Sequence, residues 1–417
     1  MNRVIVHADL NHCYAQIEEM MAPSLREVPM AVGGREESRH GIILAKNDLA
    51  KAAGVKTAET LRDALRKCPE LLIIHPHYED YVYYTEMVKD IYREYTDQVE
   101  SFGLDEAWFD LSRTVSLFGD PVETARTIQE RVFRETGLSV SMGVSFNKIF
   151  AKLGSDMDKK RGFTVITPES FREQLKDLPV EDLLYVGRAT AYKLNACGIR
   201  TIGQLADADI RFLKRLLGKN GEMIWYFANG WEGSEVKDVS WQREVKSVGN
   251  GVTAIHDLHD FTELQLVLRV LSDSVAARLR QKKKRCSLVT LYLRDKDLRC
   301  FSHQRKFSRP TDLSEEILSL ALFLAHECCP AEEDVFPVPY RSVTITAGCL
   351  SEHTYCEYDL FGEEAARQKQ RSLEVTIEKI RGRYGPYSLR YGSALQDDAL
   401  TSFDPLGEHT IHPESWF

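Results

Sequence analysis

Two adjacent carboxylates, Asp105 and Glu106, sit in the stretch Ser101-Phe-Gly-Leu-Asp-Glu-Ala-Trp-Phe-Asp-Leu-Ser112, and a third, Asp9, ends the apolar run Val4-Ile-Val-His-Ala8. An acidic doublet alone is usually a solvated turn. Three carboxylates delivered to one place can do more. Two hard divalent cations about 3.5–4 Å apart need several anionic oxygens, and such a pair activates an attacking hydroxyl while neutralising a transferring phosphoryl group. The chemistry these residues suit is phosphoryl or nucleotidyl transfer.

Elements must bring them together. The run 4–8 reads as a buried strand with Asp9 at its end, and the apolar residues flanking Asp105-Glu106 read as a hairpin. Further on, the segment from Val140 to Lys160, followed by Arg-Gly-Phe-Thr-Val-Ile166, reads as a strand, a helix and a second strand carrying Lys148, Lys152 and Lys159. These are cations of the kind that seek phosphate. With Asp9 near the start, an acidic hairpin and then Asn147-Lys-Ile-Phe-Ala-Lys152, the chain resembles the Y-family translesion DNA polymerases, in which such motifs recur in this order. The resemblance runs to about residue 349.

Composition agrees with a protein of several domains, each able to bury a core: 417 residues, 43% hydrophobic and 28% charged. No apolar run is long enough for a membrane span, and the N-terminus lacks the pattern of a signal peptide, so a cytoplasmic protein is expected, nucleoid-associated when engaged on DNA. Nine cysteines without Cys-x-x-Cys spacing predict reduced thiols, and His326 beside Cys328-Cys329 reads as a helix end rather than a zinc site. A net charge of −9 is unusual for a nucleic-acid protein. Its distribution is not: Arg278 to Arg309 holds twelve Lys or Arg against two acids, bracketing strands expected at 287–293 and 300–307. Such a run is either solvated surface or a grip on a phosphate backbone, with Lys282, Lys283, Lys284 and Arg285 as candidate DNA contacts.

The resemblance implies an α/β (α+β) multidomain right-hand polymerase. Residues 1–18 and 78–165 would form the catalytic palm. The insertion 19–77, with short strands at 29–32 and 41–45 and a helix at 60–68, would be the small fingers. Residues 166–231 would be a helical thumb in which 183–198 looks like a helix-hairpin-helix; its loop, offering Gly187 but Ala189, either faces DNA phosphate or is a plain helix turn. A polar linker, 232–245, leads to a βαββαβ little finger at 246–349, with helices at 263–281 and 314–328. The tail 350–417, with seven Lys or Arg against twelve Asp or Glu, is expected to be partly helical and partly disordered.

It also implies site roles. Asp9, Asp105 and Glu106 are the expected catalytic carboxylates and, with Leu10, the metal set for two Mg²⁺, with Mn²⁺ able to substitute. Tyr14 would lie beneath the incoming sugar and collide with a 2′-hydroxyl; read alone it is a core tyrosine. Asn11 replaces a common second Asp outside the three metal carboxylates. Lys46, Lys51 and Lys159 are expected to bind the nucleotide, although Asp48 and Lys51 stand where family members usually place a Tyr and an Arg, which weakens or rearranges the triphosphate grip. Lys148 and Lys152 join Gly187 as candidate DNA contacts. In the tail, Glu357-Tyr-Asp-Leu-Phe361 resembles the pentapeptide with which bacterial polymerases dock on the sliding clamp, Leu360 and Phe361 being the apolar anchors; a loop packed on the little finger is the alternative. The expected function is template-directed, error-prone translesion synthesis by a monomer on primer-template DNA with dNTP. A catalytically idle DNA-binding accessory and another palm enzyme such as a nucleotide cyclase are the competing classes. Primer extension separates the first, and the thumb and basic module argue against the second.

Overall fold

The strand that carries Asp9 is buried on both faces, and the rest of the first sheet is assembled around it. The structure, a computed structural model, describes residues 3–34, 41–241, 244–352 and 363–405. The chain divides into two compact units near residue 242. The first contains β1 (Ile5–Leu10), β2 (Met30–Gly33), β3 (Ile43–Lys46), β4 (Leu72–Ile74), β5 (Val99–Ser101), β6 (Glu106–Asp110), β7 (Val140–Ser145) and β8 (Phe163–Ile166). Five of these form one sheet in the order β5-β6-β1-β7-β8, with β1 antiparallel to both neighbours. Val4, Val6, Ala8 and Leu10 face a core shared with helices Tyr78–Arg93 and Pro121–Thr136. By strand alternation Ile5, His7 and Asp9 face the other way, towards helix Lys148–Met157.

That helix lies unusually close to the sheet. A Cβ on Gly143 would stand 2.0 Å from the Ala151 carbonyl oxygen, so only glycine allows the approach. A second sheet, β3-β2-β4, carries residues 30–74. Helices Phe171–Leu175, Arg188–Ala196, Ile202–Asp207, Ile210–Leu217 and Lys219–Ala228 pack on Ile149, Phe150 and Leu153 of the Lys148–Met157 helix as one core. The stretch expected as a polar linker is instead seated on the first sheet through residue 241. Val236 is buried with Ile5, Trp108 and Ala151, the Lys237 amide donates to Glu100 at 2.9 Å, and the Val239 amide donates to the Asp97 carbonyl at 2.9 Å.

The second unit is a βαββαβ module: β9 (Val248–Asp260), helix Phe261–Gln281, β10 (Lys284–Asp295), β11 (Cys300–Thr311), helix Ser314–Cys328 and β12 (Val335–Glu352). Its antiparallel sheet has the order β11-β10-β12-β9. The described residues of the tail, partly helical as expected, pack on this unit. Helix Glu363–Tyr384 turns acids inward: Glu374, buried, pairs with Arg280 at 2.7 Å, and Glu378 takes the same guanidinium. Arg371 pairs with Asp312 at 2.8 Å and Arg381 with Asp273 at 3.1 Å. Leu400 joins the sheet's core. The tail residues 363–405 hold seven Asp or Glu and seven Lys or Arg, and Glu374 and Glu378 are matched to an arginine of helix Phe261–Gln281. The peptide 357–361, with Leu360 and Phe361, lies outside the described residues.

Candidate active site

Strand register brings the carboxylates together. Asp9 stands directly opposite Glu106 across the β1–β6 ladder, and the Leu10 amide donates to the Asp105 carbonyl at 3.1 Å. Burial, and then the charge of Glu106, push the Asp9 carboxyl up to about 6. The same two causes raise Asp105. Glu106 is held at about 2, because a His7 contact and the Lys152 charge outweigh the burial that would raise it. Crowded, partly buried carboxylates, two of them raised by burial and by the charge of the third, are a donor set of the type that hard cations relieve. Among the described residues, no three His, Cys, Asp or Glu side chains close around one point. Here the charge is met by lysines. Lys152 Nζ bonds Glu106 Oε2 at 2.6 Å, and Lys159 bonds Asp9 while pairing with Asp156 at 2.5 Å.

The carboxylates open into a cavity of about 830 Å³ lined by Asp9, Leu10 and Asp105 on one side, by Tyr14, and by a set of cations: Lys46, Lys51, Lys159, Lys160 and Arg161. Tyr14 is half-buried, stacked on Tyr81 at 4.4 Å with its edge on Tyr78 at 6.2 Å. Tyr81 is itself fixed by a hydrogen bond to Glu18. Lys46 Nζ donates to Thr57 at 3.0 Å. The loop after it is held by Asn47, which caps helix Asp48–Ala52 through Ala50 at 3.0 Å and donates to the Val28 carbonyl at 2.9 Å. That cap puts Asp48 in the first turn, where the helix dipole favours an acid, and Lys51 one turn on. Both line the cavity, so the unusual acid is favoured by its own helix in a cavity that also collects cations. Asn11 is buried and fully engaged, donating to Ser139 at 3.1 Å and accepting from Ser141 at 2.9 Å.

Lys160 and Arg161 were not singled out from sequence. Their adjacency to Lys159 was the available signal. Arg161 adopts a left-handed backbone, φ 55°, and its guanidinium stacks 4.0 Å from the Phe133 ring. His12 and Cys13 also line the cavity and gave no chemical signal in the sequence.

Other expected DNA contacts are differently placed. Lys148 is buried, its Nζ 2.7 Å from Glu100 and 4.6 Å from the Trp108 ring centre, because the helix starts against that strand. Lys152 serves Glu106, as above, rather than an outer surface. Gly187 is exposed at the start of helix Arg188–Ala196, which has no side-chain cap, so amides there face solvent. In the basic segment the sequence count overstates the free charge. Arg278 is buried and donates to the Gly249 carbonyl at 2.7 Å, Arg280 is consumed by Glu374 and Glu378, Arg285 lies 3.7 Å from Asp312 and Lys284 3.4 Å from Glu352. Lys282 and Lys283 remain exposed, with Arg294, Lys296, Arg299 and Lys306 on and around the edge strand β11.

The impB/mucB/samB family pattern matches residues 8–156, and the pattern of that family's C-terminal domain matches 245–360. The chain is 42% identical over 401 residues to DNA polymerase IV of Acetivibrio thermocellus, a match spanning 96% of this chain and 99% of that protein. It is 37% identical over 401 residues to DNA polymerase IV 1 of Bacillus subtilis, spanning 95% and 94%. A solved chimeric Y-family DNA polymerase superposes with a TM-score of 0.73 at 20% identity, covering 84% of this chain and 100% of that one. The likeness therefore continues beyond residue 349, through most of the tail. No helix among the described residues is long and apolar enough to cross a membrane.

Proposed function

The chain belongs to the impB/mucB/samB family of bacterial Y-family DNA polymerases, and from that premise we propose that it carries out error-prone translesion synthesis at the cavity beneath Asp9, Asp105 and Glu106. The observation that carries this is a single arrangement: Asp9 and Asp105 at one end of a cavity whose wall is a cluster of lysines and an arginine, with Tyr14 also lining it and Glu106 directly across the strand ladder from Asp9. Anionic and cationic halves in one cavity suit a deoxynucleoside triphosphate approached by a primer 3′-hydroxyl on template DNA.

The residues divide the work. Asp9, Asp105, Glu106 and the backbone at Leu10 would hold two Mg²⁺ or Mn²⁺, which when bound lower the pKa of the 3′-hydroxyl and neutralise charge on the triphosphate. Lys46, Lys51, Lys159, Lys160 and Arg161 orient the phosphates. Lys159 already spans from the carboxylates to the cavity, so it can exchange Asp9 for a phosphate oxygen without leaving its place. Tyr14, pinned by Tyr81, excludes a 2′-hydroxyl. The small β3-β2-β4 sheet reads as the fingers, and a module that small would enclose a nascent base pair loosely, which is the reason to expect low fidelity. The protein works as a cytoplasmic monomer that gathers at the nucleoid on DNA and docks on the sliding clamp through residues 357–361.

Asp105→Ala tests the core of this reading. Primer extension is expected to fall at least about 10³-fold, since the two-ion site loses a ligand made for the transition state, while primer-template affinity stays within about twofold. A variant extending primers near the wild-type rate would refute the site.

A further inference from the structure

Behind the carboxylates lies a wholly buried imidazole that none of these roles uses. His7 shares its strand face with Asp9, sits opposite Trp108 in register, and packs edge-on against that indole at 5.1 Å. Its Nδ1 lies 2.7 Å from Ser155 Oγ, which reaches it only because Gly143, its partner in register on β7, admits the helix so closely. Its Nε2 lies 3.2 Å from Glu106 Oε2 and has no other partner. That approach falls short of a well-formed hydrogen bond in this arrangement, in which Lys152 holds the same oxygen at 2.6 Å.

A neutral imidazole has one N–H to place. With the proton on Nδ1, the bare Nε2 would confront a carboxylate oxygen, acceptor against acceptor. With the proton on Nε2, that N–H points at Glu106, and Ser155 donates to Nδ1. The cost is the Ser155 bond to the Lys152 carbonyl, 2.8 Å, and a carbonyl within a helix keeps its own intrahelical donor. Only the second arrangement points a donor at the carboxylate and leaves no two acceptors face to face. We infer that His7 is a positioning residue whose Nε2–H fixes the rotamer of the Glu106 carboxylate for divalent-ion binding, with Ser155 setting the tautomer. The inference rests on the two-ion reading above.

Amide isosteres separate this role from mere packing. In His7→Asn the amide oxygen can replace the acceptor Nδ1 but nothing replaces the donor Nε2; in His7→Gln the amide N–H can replace Nε2–H. Mn²⁺ is titrated into each full-length protein and followed by loss of the free-ion electron paramagnetic resonance signal, alongside the Mg²⁺ concentration for half-maximal extension, dNTP KM at saturating Mg²⁺, primer-template Kd and Tm. Removing a group that orients a metal ligand typically weakens metal affinity 10–100-fold. His7→Asn is expected to show that loss in both ion readouts with Kd for DNA unchanged, and His7→Gln to recover to within about threefold. Ser155→Ala, which removes only the anchor of the ring, should shift the same constants the same way by a smaller factor and decides the matter if His7→Asn does not fold. Wild-type ion affinity in His7→Asn, or equal losses in a folded Gln and Asn pair, or an unshifted Ser155→Ala, overturns the proposal alone. If wild-type protein shows no Mn²⁺ binding that Asp105→Ala removes, the carboxylate reading falls and takes this one with it.

Discussion

Tyr14 illustrates what a single side chain can be asked to do once its neighbours are known. In sequence it is an aromatic in a helical stretch, with core as its plainest reading; in the structure it is a half-buried ring that lines the cavity, braced by Tyr81 stacked parallel on it and by an edge contact with Tyr78. A gate needs such bracing, since a ring free to move would let a larger sugar pass. Tyr14→Ala is therefore expected to raise ribonucleotide incorporation relative to deoxyribonucleotide by about 10²-fold, each decade corresponding to about 1.4 kcal/mol of discrimination, in single-nucleotide insertion assays with matched ribo and deoxy substrates. An unchanged ratio would assign the ring to packing. Asp9, Asp105 and Glu106 could be nominated beforehand because they stand, in the order the resemblance implies, before Asn147-Lys-Ile-Phe-Ala-Lys152; the doublet alone reads as a solvated turn. His7 could not. It sits inside the apolar run itself, and only cross-strand register and the helix above show that its two nitrogens face different partners.

Elements were legible where period and punctuation agreed. The strand ending at Asp9, the acidic hairpin, and helix Ser314–Cys328 all follow from alternation or helical spacing. What could not be read was partnership between elements distant in sequence. The tail helix Glu363–Tyr384 has the highly charged composition of a solvated segment, and nothing local says that Glu374 will be buried against Arg280, itself counted as a DNA-facing charge. Both segments mislead for one reason: opposite charges about 94 residues apart cancel in space but not along the chain. A buried pair broken from one side leaves an uncompensated ion and typically costs 3–5 kcal/mol. Because Glu378 still reaches Arg280, Glu374→Ala is expected at the lower end, about 3 kcal/mol of stability for the second unit, read as a lower urea midpoint with unaltered slope; Glu374→Gln should cost less, since it keeps an acceptor for the guanidinium and the Ser314 amide. A midpoint unmoved by Glu374→Ala would mean that the tail does not brace the module.

Across the whole molecule, an acidic protein that handles DNA must keep its positive charge where phosphate arrives and silence it elsewhere. The net −9 is not spread evenly. The cavity collects five cations against the carboxylates, and the second unit keeps a basic edge after internal pairing has removed Arg278, Arg280 and Arg285 from the surface. Counting residues along the chain cannot separate these two populations, since both look identical as a run of Lys and Arg; burial does. The separation has a thermodynamic signature. Each cation taken away from a DNA phosphate reduces the slope of log K against log[salt] by about 0.9, so Lys282→Ala with Lys283→Ala, both exposed, is expected to weaken primer-template binding on every sequence and flatten the slope by about one to two units. Arg285→Ala, whose guanidinium faces buried Asp312, is expected to lower Tm while leaving the slope within about half a unit. Fluorescence anisotropy across a salt series, with a melt on each variant, distinguishes them. Were the Arg285 variant to flatten the slope and the lysine pair to leave it untouched, charge burial would be a poor guide to which cations meet DNA, and the grip would have to come from elsewhere, with the solvent-facing amides at Gly187 the first place to look.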